Sequence, residues 1–250
     1  MDRASDRLHA AAIVLPGVEV RIVERCGSTN DLVFTESLEK PVLIAAEEQT
    51  AGRGRRGRRW HSAPGAGATF SLGCRIHRPV RELAALSLVA GVAAARALRA
   101  LGTDARLKWP NDLIVDGAKL GGILVESRNR NHVAIGIGIN CRPDRTLEGK
   151  VRRNVAHLNG SVSRNDLIRR IGLALLEAVG QFERNGLDAL RAEWESMDAH
   201  AGQRLRVRLA NGRVMTGRSA GLGEDGSLQL QTTKGLRAVT SGRVVSARAA

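Results

Sequence analysis

The sequence predicts an α+β fold: a mixed, mostly antiparallel sheet with flanking helices, followed by a small terminal β-barrel. Three observations carry the prediction. Short apolar runs bounded by turn residues are interspersed with stretches of helical periodicity. Asp116-Gly117 stands between two such runs as a two-residue hairpin turn, which makes the flanking strands antiparallel. After Gly202 the helical period disappears, and short strands separated by Asn211-Gly212 and Asp225-Gly226 take its place. With 250 residues, 43% of them hydrophobic, the chain can hold one large domain and a small companion. The expected division is 1–200 and 201–250.

The elements follow in order. Residues 1 to 16 form a short Ala-rich segment closed by Pro16-Gly17. Val18 to Arg25 alternates apolar and charged residues, as a strand with one buried face does. Cys26-Gly27 turns the chain, and Ser28 with Asp31 fits a capping box opening a helix that runs to about Leu38. Val42 to Ala46 reads as a central buried strand delivering Glu47, Glu48 and Gln49 to the next loop. Ala68 to Arg75 is a further strand. Leu83, Leu86, Ala90, Ala93, Ala97 and Leu101 recur at spacings of three and four, so Pro79 to Leu101 is a core-facing helix stopped by Gly102. Asp112 to Val115 and Lys119 to Glu126 pair across the hairpin turn, with Gly121-Gly122 open to close approach by a ligand. Asn129-Arg130-Asn131 turns into a strand from His132 to Ile139. Cys141 to Gly160 is polar and irregular. A helix starting at Ser163 or Asn165 and another from Leu187 to about Met197 complete the large domain, and about five strands fill the remainder.

Between the second and third strands lies Gly52-Arg53-Gly54-Arg55-Arg56-Gly57-Arg58-Arg59-Trp60, five arginines and three glycines in nine residues. Glycines bring backbone N–H groups close to a ligand, and guanidinium groups grip carboxylate or phosphate in bidentate fashion. The stretch reads as an anion-holding loop. Gly52-x-Gly54-x-x-Gly57 matches a dinucleotide fingerprint, but Pro64, Gly65 and Gly67 follow where a helix must open. The Gly52-x4-Gly57 spacing is that of a P-loop, but Arg58 and Arg59 stand where that loop needs Lys and Ser or Thr. A solvated basic tail remains the bland alternative, and the apolar segments on both sides weigh against it.

Composition narrows the class. Three widely spaced cysteines, Cys26, Cys74 and Cys141, suggest neither a disulfide framework nor a zinc site, and a reducing, cytoplasmic setting is expected. The six histidines lack metal-ligand spacing. No apolar run reaches the roughly 18 residues of a spanning helix, and the first residues lack a signal-peptide layout, so no membrane association is expected. The formal charge of +14, from 39 basic and 25 acidic residues, allows a nucleic-acid partner, but the chain has no Tyr and only three Phe and three Trp for stacking bases.

Five motifs stand in register: Gly27-Ser28-Thr29-Asn30, Gln49 through Trp60, Lys108-Trp109-Pro110-Asn111-Asp112, Lys119-Leu120-Gly121-Gly122-Ile123-Leu124 and Gly136-Ile137-Gly138-Ile139-Asn140. In order and spacing the chain resembles the biotin protein ligases. The resemblance spans residues 27 to 140 and extends to the later helices and terminal barrel. It implies a class II synthetase-like catalytic domain, an SH3-like barrel, biotin and ATP as substrates, Mg2+, and a biotin carboxyl carrier domain of a biotin-dependent carboxylase as acceptor. Dimerisation is common in the family. The few residues before Pro16 do not amount to a winged-helix domain, so the chain resembles the ligase-only class and no DNA-repressor role is expected.

Carried over residue by residue, the resemblance assigns Ser28, Thr29, Asn30 and Gln49 to the ureido end of biotin. Gly52, Arg53, Gly54, Arg55 and Gly122 complete the biotin site, and Lys119 lies by the carboxylate and α-phosphate. Arg55, Arg56, Arg58, Trp60, Lys108, Asn111, Asn140 and Arg248 form the nucleotide side, with Asp112 toward magnesium. Lys119, Arg55 and Arg53 are the implied catalytic cations. Two competing readings remain at this stage: a lipoate or octanoate ligase or transferase of the same fold, and a basic nucleic-acid-binding module using the loop and the barrel. Taken singly, Lys119 is also read as a solvated hairpin lysine and Trp109-Pro110 as packing.

Overall fold

Seven strands form the large sheet: β1 (Glu19–Cys26), β2 (Val42–Gln49), β3 (Gly67–Arg75), β4 (Arg106–Lys108), β5 (Asp112–Val115), β6 (Ala118–Arg128) and β7 (His132–Asn140). The computed structural model describes residues 6–61, 63–129, 131–144 and 155–248. Residues 1–5 of the Ala-rich segment, Arg130 of the predicted turn and residues 145–154 of the predicted irregular stretch lie outside the described residues. The strand order is β1-β2-β3-β7-β6-β5-β4. Only β1 and β2 run parallel, so the sheet is mixed and mostly antiparallel. Asp116 and Gly117 both have positive φ, 49° and 74°, which a primed hairpin turn requires.

Alternation along the strands decides what each face of the sheet does. Phe70, Leu72, Ile135, Ile137 and Ile123 face α2 (Leu86–Ala100) and α3 (Arg164–Asn185) and form the main core. α4 (Asp188–Ser196) packs beside them through Leu190 and Trp194. The other face carries Thr69, Ser71, Gly122, Gly136 and Gly138, and is capped by α1 (Thr29–Val33) and the arginine loop. A small second cluster of Val33, Leu38, Val42, Ile44 and Ala134 holds α1 in place.

Three expectations are corrected. The predicted helix from Ser28 to Leu38 is a single turn, Thr29–Val33, and Leu38 has a left-handed φ of 53°. Ser28 is the N-cap residue but makes no side-chain cap bond, and the capping box does not form. Asp31 pairs instead with Arg53, whose guanidinium donates to both carboxylate oxygens, at 2.6 and 2.8 Å, in the bidentate geometry that a single capping bond does not match. The predicted helix from Pro79 to Leu101 begins as a 3-10 segment, Val80–Ala85, before α2 proper. The stretch Val80–Ala100 is long and apolar enough by composition to cross a membrane, but most of it is buried inside the fold as a core helix.

Glu47 does not reach the mouth of the arginine loop. It faces the helices with Leu43 and Ala45, where Arg164, 1% exposed, donates to both its oxygens at 2.7 and 3.2 Å. Asp6 completes the buried cluster. It accepts from the Arg164 backbone N–H at 2.8 Å and from Arg142 at 3.0 Å. The N-terminal segment is thereby fastened across β2 and α3, with Leu8, Ile13 and Leu15 in the core.

The C-terminal strands β8 (Arg204–Leu209), β9 (Val214–Leu222), β10 (Leu228–Thr232), β11 (Gly235–Val239) and β12 (Gly242–Arg248) form an antiparallel sheet ordered β11-β10-β9-β8-β12. Both turn glycines, Gly212 and Gly226, have the expected positive φ. The Trp109 indole donates to the Gly226 carbonyl at 3.1 Å, and Glu195 accepts from the Leu222 N–H at 2.8 Å. These contacts fix the small sheet against the large one.

Candidate active site

A cavity of about 400 Å³ lies between the glycine-bearing face of the large sheet and the arginine loop. That is within the usual range for a small-molecule site. Its floor exists because side chains are missing. A Cβ on Gly138 would stand 2.4 Å from the Trp60 ring, and one on Gly136 would stand 2.5 Å from Asn30 Oδ1. Gly138 is paired with Thr69 on one side and Gly122 on the other, so the opening runs across three strands.

At one end the lining is polar and neutral. Gln49 Oε1 accepts from the Thr29 N–H at 2.7 Å and from its hydroxyl at 3.0 Å. Ser71 Oγ, fully buried, lies 2.6 Å from both Thr29 Oγ1 and Asn30 Oδ1. Asn30 Nδ2 donates to Glu126 at 2.8 Å and to the Leu124 carbonyl at 3.3 Å. A network this fully satisfied holds its members in single orientations.

The other end is cationic. The Lys119 ammonium donates to Asp112 and lies 6.0 Å from the centre of the Trp60 ring. Arg55 is half-buried, and its guanidinium makes no hydrogen bond or ion pair among the described residues. Burial, together with neighbouring Arg56 and Arg58, lowers its pKa, so the charge sits in an environment that an added anion would relieve. Trp60 Nε1 is buried with no hydrogen-bond partner among the described residues. Such an orphan calls for an acceptor.

The arginine loop is a small folded flap. Arg53 bridges to Arg59, the Gly54 N–H donates to the Arg58 carbonyl at 2.6 Å, and the Trp60 N–H donates to the Gly52 carbonyl at 2.9 Å. Its tip turns through Arg56 and Gly57, with φ of 59° and 70°. Arg53 anchors the base. It donates to both Asp31 oxygens, at 2.6 and 2.8 Å, and to Glu126 at 2.9 Å. The hydrogen bonds from Arg53 hold the Asp31 carboxyl below its ordinary pKa, and Asp31 and then Glu126 raise that of Arg53. The guanidinium thus already has two carboxylate partners.

Most of the sequence-predicted residues converge. Ser28, Thr29, Asn30, Gln49, Arg53, Gly54, Arg55, Arg58, Trp60, Asn111, Lys119, Gly122 and Asn140 line the one cavity. Asn111 clamps Ile123, donating to its carbonyl at 2.6 Å and accepting from its N–H at 3.0 Å. Asn140 ties the Lys119 and Ala156 carbonyls together. Gly52 stands outside and lets the chain pass Trp60, whose carbonyl a Cβ would meet at 2.6 Å. Arg56 points away from the cavity to Ser241 Oγ, 3.2 Å off. Lys108, on β4, and Arg248 do not line the cavity. Arg248 ends β12 opposite Arg204, at the end of the strand away from Ser241.

Ser71, Glu126, Gly136 and Gly138 carry no role in the sequence reading, although the structure sets them in or beside the site. Two signals mark three of them: glycine at period two inside a strand, for Gly136 and Gly138, and a hydroxyl within a strand that is otherwise buried and apolar, for Ser71.

Comparison with known proteins bears on the same residues. Residues 22–142 match the Biotin/lipoate A/B protein ligase family, and residues 200–245 match the biotin protein ligase C-terminal domain. The chain is 34% identical over 227 residues to the bifunctional ligase/repressor BirA of Escherichia coli (strain K12), covering 87% of this chain and 70% of that protein. It is 31% identical over 240 residues to the biotin–[acetyl-CoA-carboxylase] ligase of Mycobacterium tuberculosis, covering 92% and 90%. A solved structure of the biotin protein ligase from Aquifex aeolicus in complex with biotin and ATP superimposes with a TM-score of 0.78 at 25% identity, covering 93% of this chain and 99% of that one.

Proposed function

The chain belongs to the biotin protein ligase family, whose reaction is ATP-dependent ligation of biotin, and from that premise we propose how its own residues divide the work. The cavity takes biotin and ATP, joins them as biotinyl-5′-AMP, and passes biotin to a lysine of a biotin carboxyl carrier domain. One observation carries the assignment: a single cavity has a rigid neutral hydrogen-bonding end at Thr29, Asn30, Gln49 and Ser71, and a cationic end at Lys119 and Arg55. A bicyclic urea with a carboxylate tail has that polarity.

In the first step a biotin carboxylate oxygen attacks the α-phosphorus of ATP, and pyrophosphate leaves. Two anions must meet, so the residues' task is neutralisation and alignment rather than proton transfer. Lys119, held by Asp112, and Arg55, which has no ion-pair partner among the described residues, supply the charge. Arg53 serves as the anchor of the flap through Asp31 and Glu126. In the second step the acceptor amine attacks the acyl carbon, AMP leaves with the C–O bond pair, and the ammonium proton goes to solvent. Trp60 and the flap shield the anhydride from water until then.

The described residues offer magnesium no cage, since no cluster of three His, Cys, Asp or Glu exists among them. A single carboxylate, Asp112, fits an ion that arrives on the nucleotide phosphates and keeps its waters. Bound there, magnesium would supply charge neutralisation on the phosphoryl oxygens. Residues 1–200 form the catalytic unit and 201–250 the accessory unit in this reading. A cytoplasmic setting accords with the unpaired cysteines, of which Cys74 and Cys141 are buried, with burial pushing both thiols up to about 12.

Intact mass of a carrier domain incubated with the protein, biotin and MgATP tests the proposal. The expected result is one biotinyl mass increment, dependent on ATP. No increment, or an increment with lipoate and none with biotin, overturns it.

A further inference from the structure

We propose that the flap carries its charge on arginine so that the enzyme is not its own acceptor: Arg58 and Arg59 line the cavity with cations that resist acylation, and biotin is kept for the incoming lysine. The inference rests on the ligase reading. A biotinyl anhydride is open to any neutral amine that reaches its acyl carbon. The C–N bond forms, the C–O bond breaks with AMP as leaving group, and the ammonium proton goes to solvent. The product is a stable amide, so an amine of the enzyme's own at this place would hold biotin fixed in the site.

The chain has 34 Arg and five Lys. That preference runs through the whole sequence, and pairing is what singles out the flap. Among the described residues the cavity is lined by Arg53, Arg55, Arg58, Arg59 and one lysine, Lys119. Arg53 is paired with Asp31 and Glu126, and Lys119 with Asp112. Arg58 and Arg59 donate only to backbone, to the Arg55 carbonyl at 3.3 Å and the Thr50 carbonyl at 3.1 Å, and neither enters an ion pair among the described residues. The one amine at the cavity is thus the one tied to a carboxylate, and every cation without a carboxylate there is a guanidinium. Lys40, Lys108 and Lys234 do not line the cavity, and Lys150 lies outside the described residues.

Electrostatics makes the choice of cation matter. Like charges disfavour the charged form of a base, and the flap crowds its cations: burial and then Arg56 and Arg58 lower the pKa of Arg55. A guanidinium starts high enough to keep its proton in such a field, and its delocalised charge leaves no nucleophilic lone pair. A lysine starts about two to three pH units lower. In the same cluster, with no carboxylate beside it, it would spend more of its time as the neutral, nucleophilic amine. The flap also shields the anhydride, so an amine on it would be carried to the acyl carbon at high effective concentration. Lysine would serve the phosphates and consume the product, whereas arginine serves the phosphates alone.

Arg56 supplies the internal control, because it points away from the cavity to Ser241. Arg58→Lys, Arg59→Lys and Arg56→Lys each keep the flap's charge and add one amine, two at the cavity and one facing away. Parent and variants are incubated with saturating biotinyl-5′-AMP and no acceptor, which bypasses adenylate formation, and biotinyl groups are located by intact mass and peptide mapping. The expected result is a biotinyl increment on the new lysine of Arg58→Lys or Arg59→Lys, formed about tenfold or more faster than on Lys40, Lys234 or the new lysine of Arg56→Lys. The parent is expected to carry no increment on Lys119. If both cavity variants are labelled no faster than Arg56→Lys, or if Lys119 of the parent is labelled, the proposal is overturned and the ligase reading stands. A parent that neither binds biotinyl-5′-AMP in calorimetry nor releases pyrophosphate from biotin and MgATP overturns the ligase reading, and the proposal with it.

Discussion

Two residues decide the chemistry at opposite ends of one cavity, and each has a distinct failure. Among the described residues Lys119 is the only ammonium lining the cavity, and Asp112 fixes its direction. Lys119→Ala is expected to slow biotin-dependent pyrophosphate release by about 10²–10³-fold, the scale for losing one preorganised charge, with melting temperature little changed. A rate within a few-fold of the parent would remove Lys119 from the mechanism. Gly138 acts by having no side chain, since an added methyl would lie 2.4 Å from a rigid indole. Gly138→Ala is expected to weaken biotin binding by about 1–3 kcal/mol, the cost of overpacking, measured by titration calorimetry on a protein that remains folded. Lys119 is recognisable from its motif beside the hairpin turn. The role of Gly138 is not, because what it makes room for comes from Trp60, far off in sequence.

At the scale of elements, the flap and the N-terminal strap depend on partners that local reading does not see. Arg53 reads as an anion gripper when only its neighbours Gly52 and Gly54 are considered. In the fold it is an anchor, because Asp31 and Glu126 come to it from α1 and β6. Glu126→Gln removes one of those charges, and trypsin is expected to cut after the exposed Arg56, Arg58 and Arg59 several-fold faster, with biotin and MgATP restoring protection only in part. Equal cutting rates would show that the anchor does not hold the flap. The strap poses a stability question instead. Arg164→Met leaves Glu47 buried without its cation and Asp6 with Arg142 alone, and is expected to cost about 3–5 kcal/mol in urea unfolding; a loss under about 1 kcal/mol would mean that the cluster contributes no more than a surface pair.

The whole molecule is two sheets meeting at one junction, and that junction carries opposed titrations. Asp198 is buried beside the Leu107 bridge, and burial pushes its pKa up to about 6. The His200 ring is pushed down to about 4 by burial and by Lys108. For Asp198 the folded state binds the proton more tightly, so its contribution is fully present below the unfolded value and is lost as pH rises toward about 6. For His200 the unfolded state binds more tightly, so stability is present above the ordinary imidazole pKa and is lost as pH falls through about 4. Between about 4 and 6 the two slopes oppose each other. Asp198→Asn is therefore expected to give a protein whose stability climbs with pH over that window, and His200→Gln one whose stability declines. Thermal melts at pH 4.5, 5.5 and 6.5 check the pair, and identical pH profiles for parent and both variants would refute it.

The sequence by itself determined the elements and the chemistry of the site. Period-two and period-3.6 patterning, the Asp116-Gly117 turn and five ordered motifs are local properties, and side-chain alternation then fixes which face of each strand is buried. The tertiary structure alone decided which charges are free to act. Arg53, Glu47 and Arg55 look alike as ionised groups near one loop, yet two of them are consumed by carboxylate or guanidinium partners brought from distant segments and one is not. A charge's role follows from its desolvation and its nearest opposite charge, and both are set by packing across the fold rather than by neighbours along the chain.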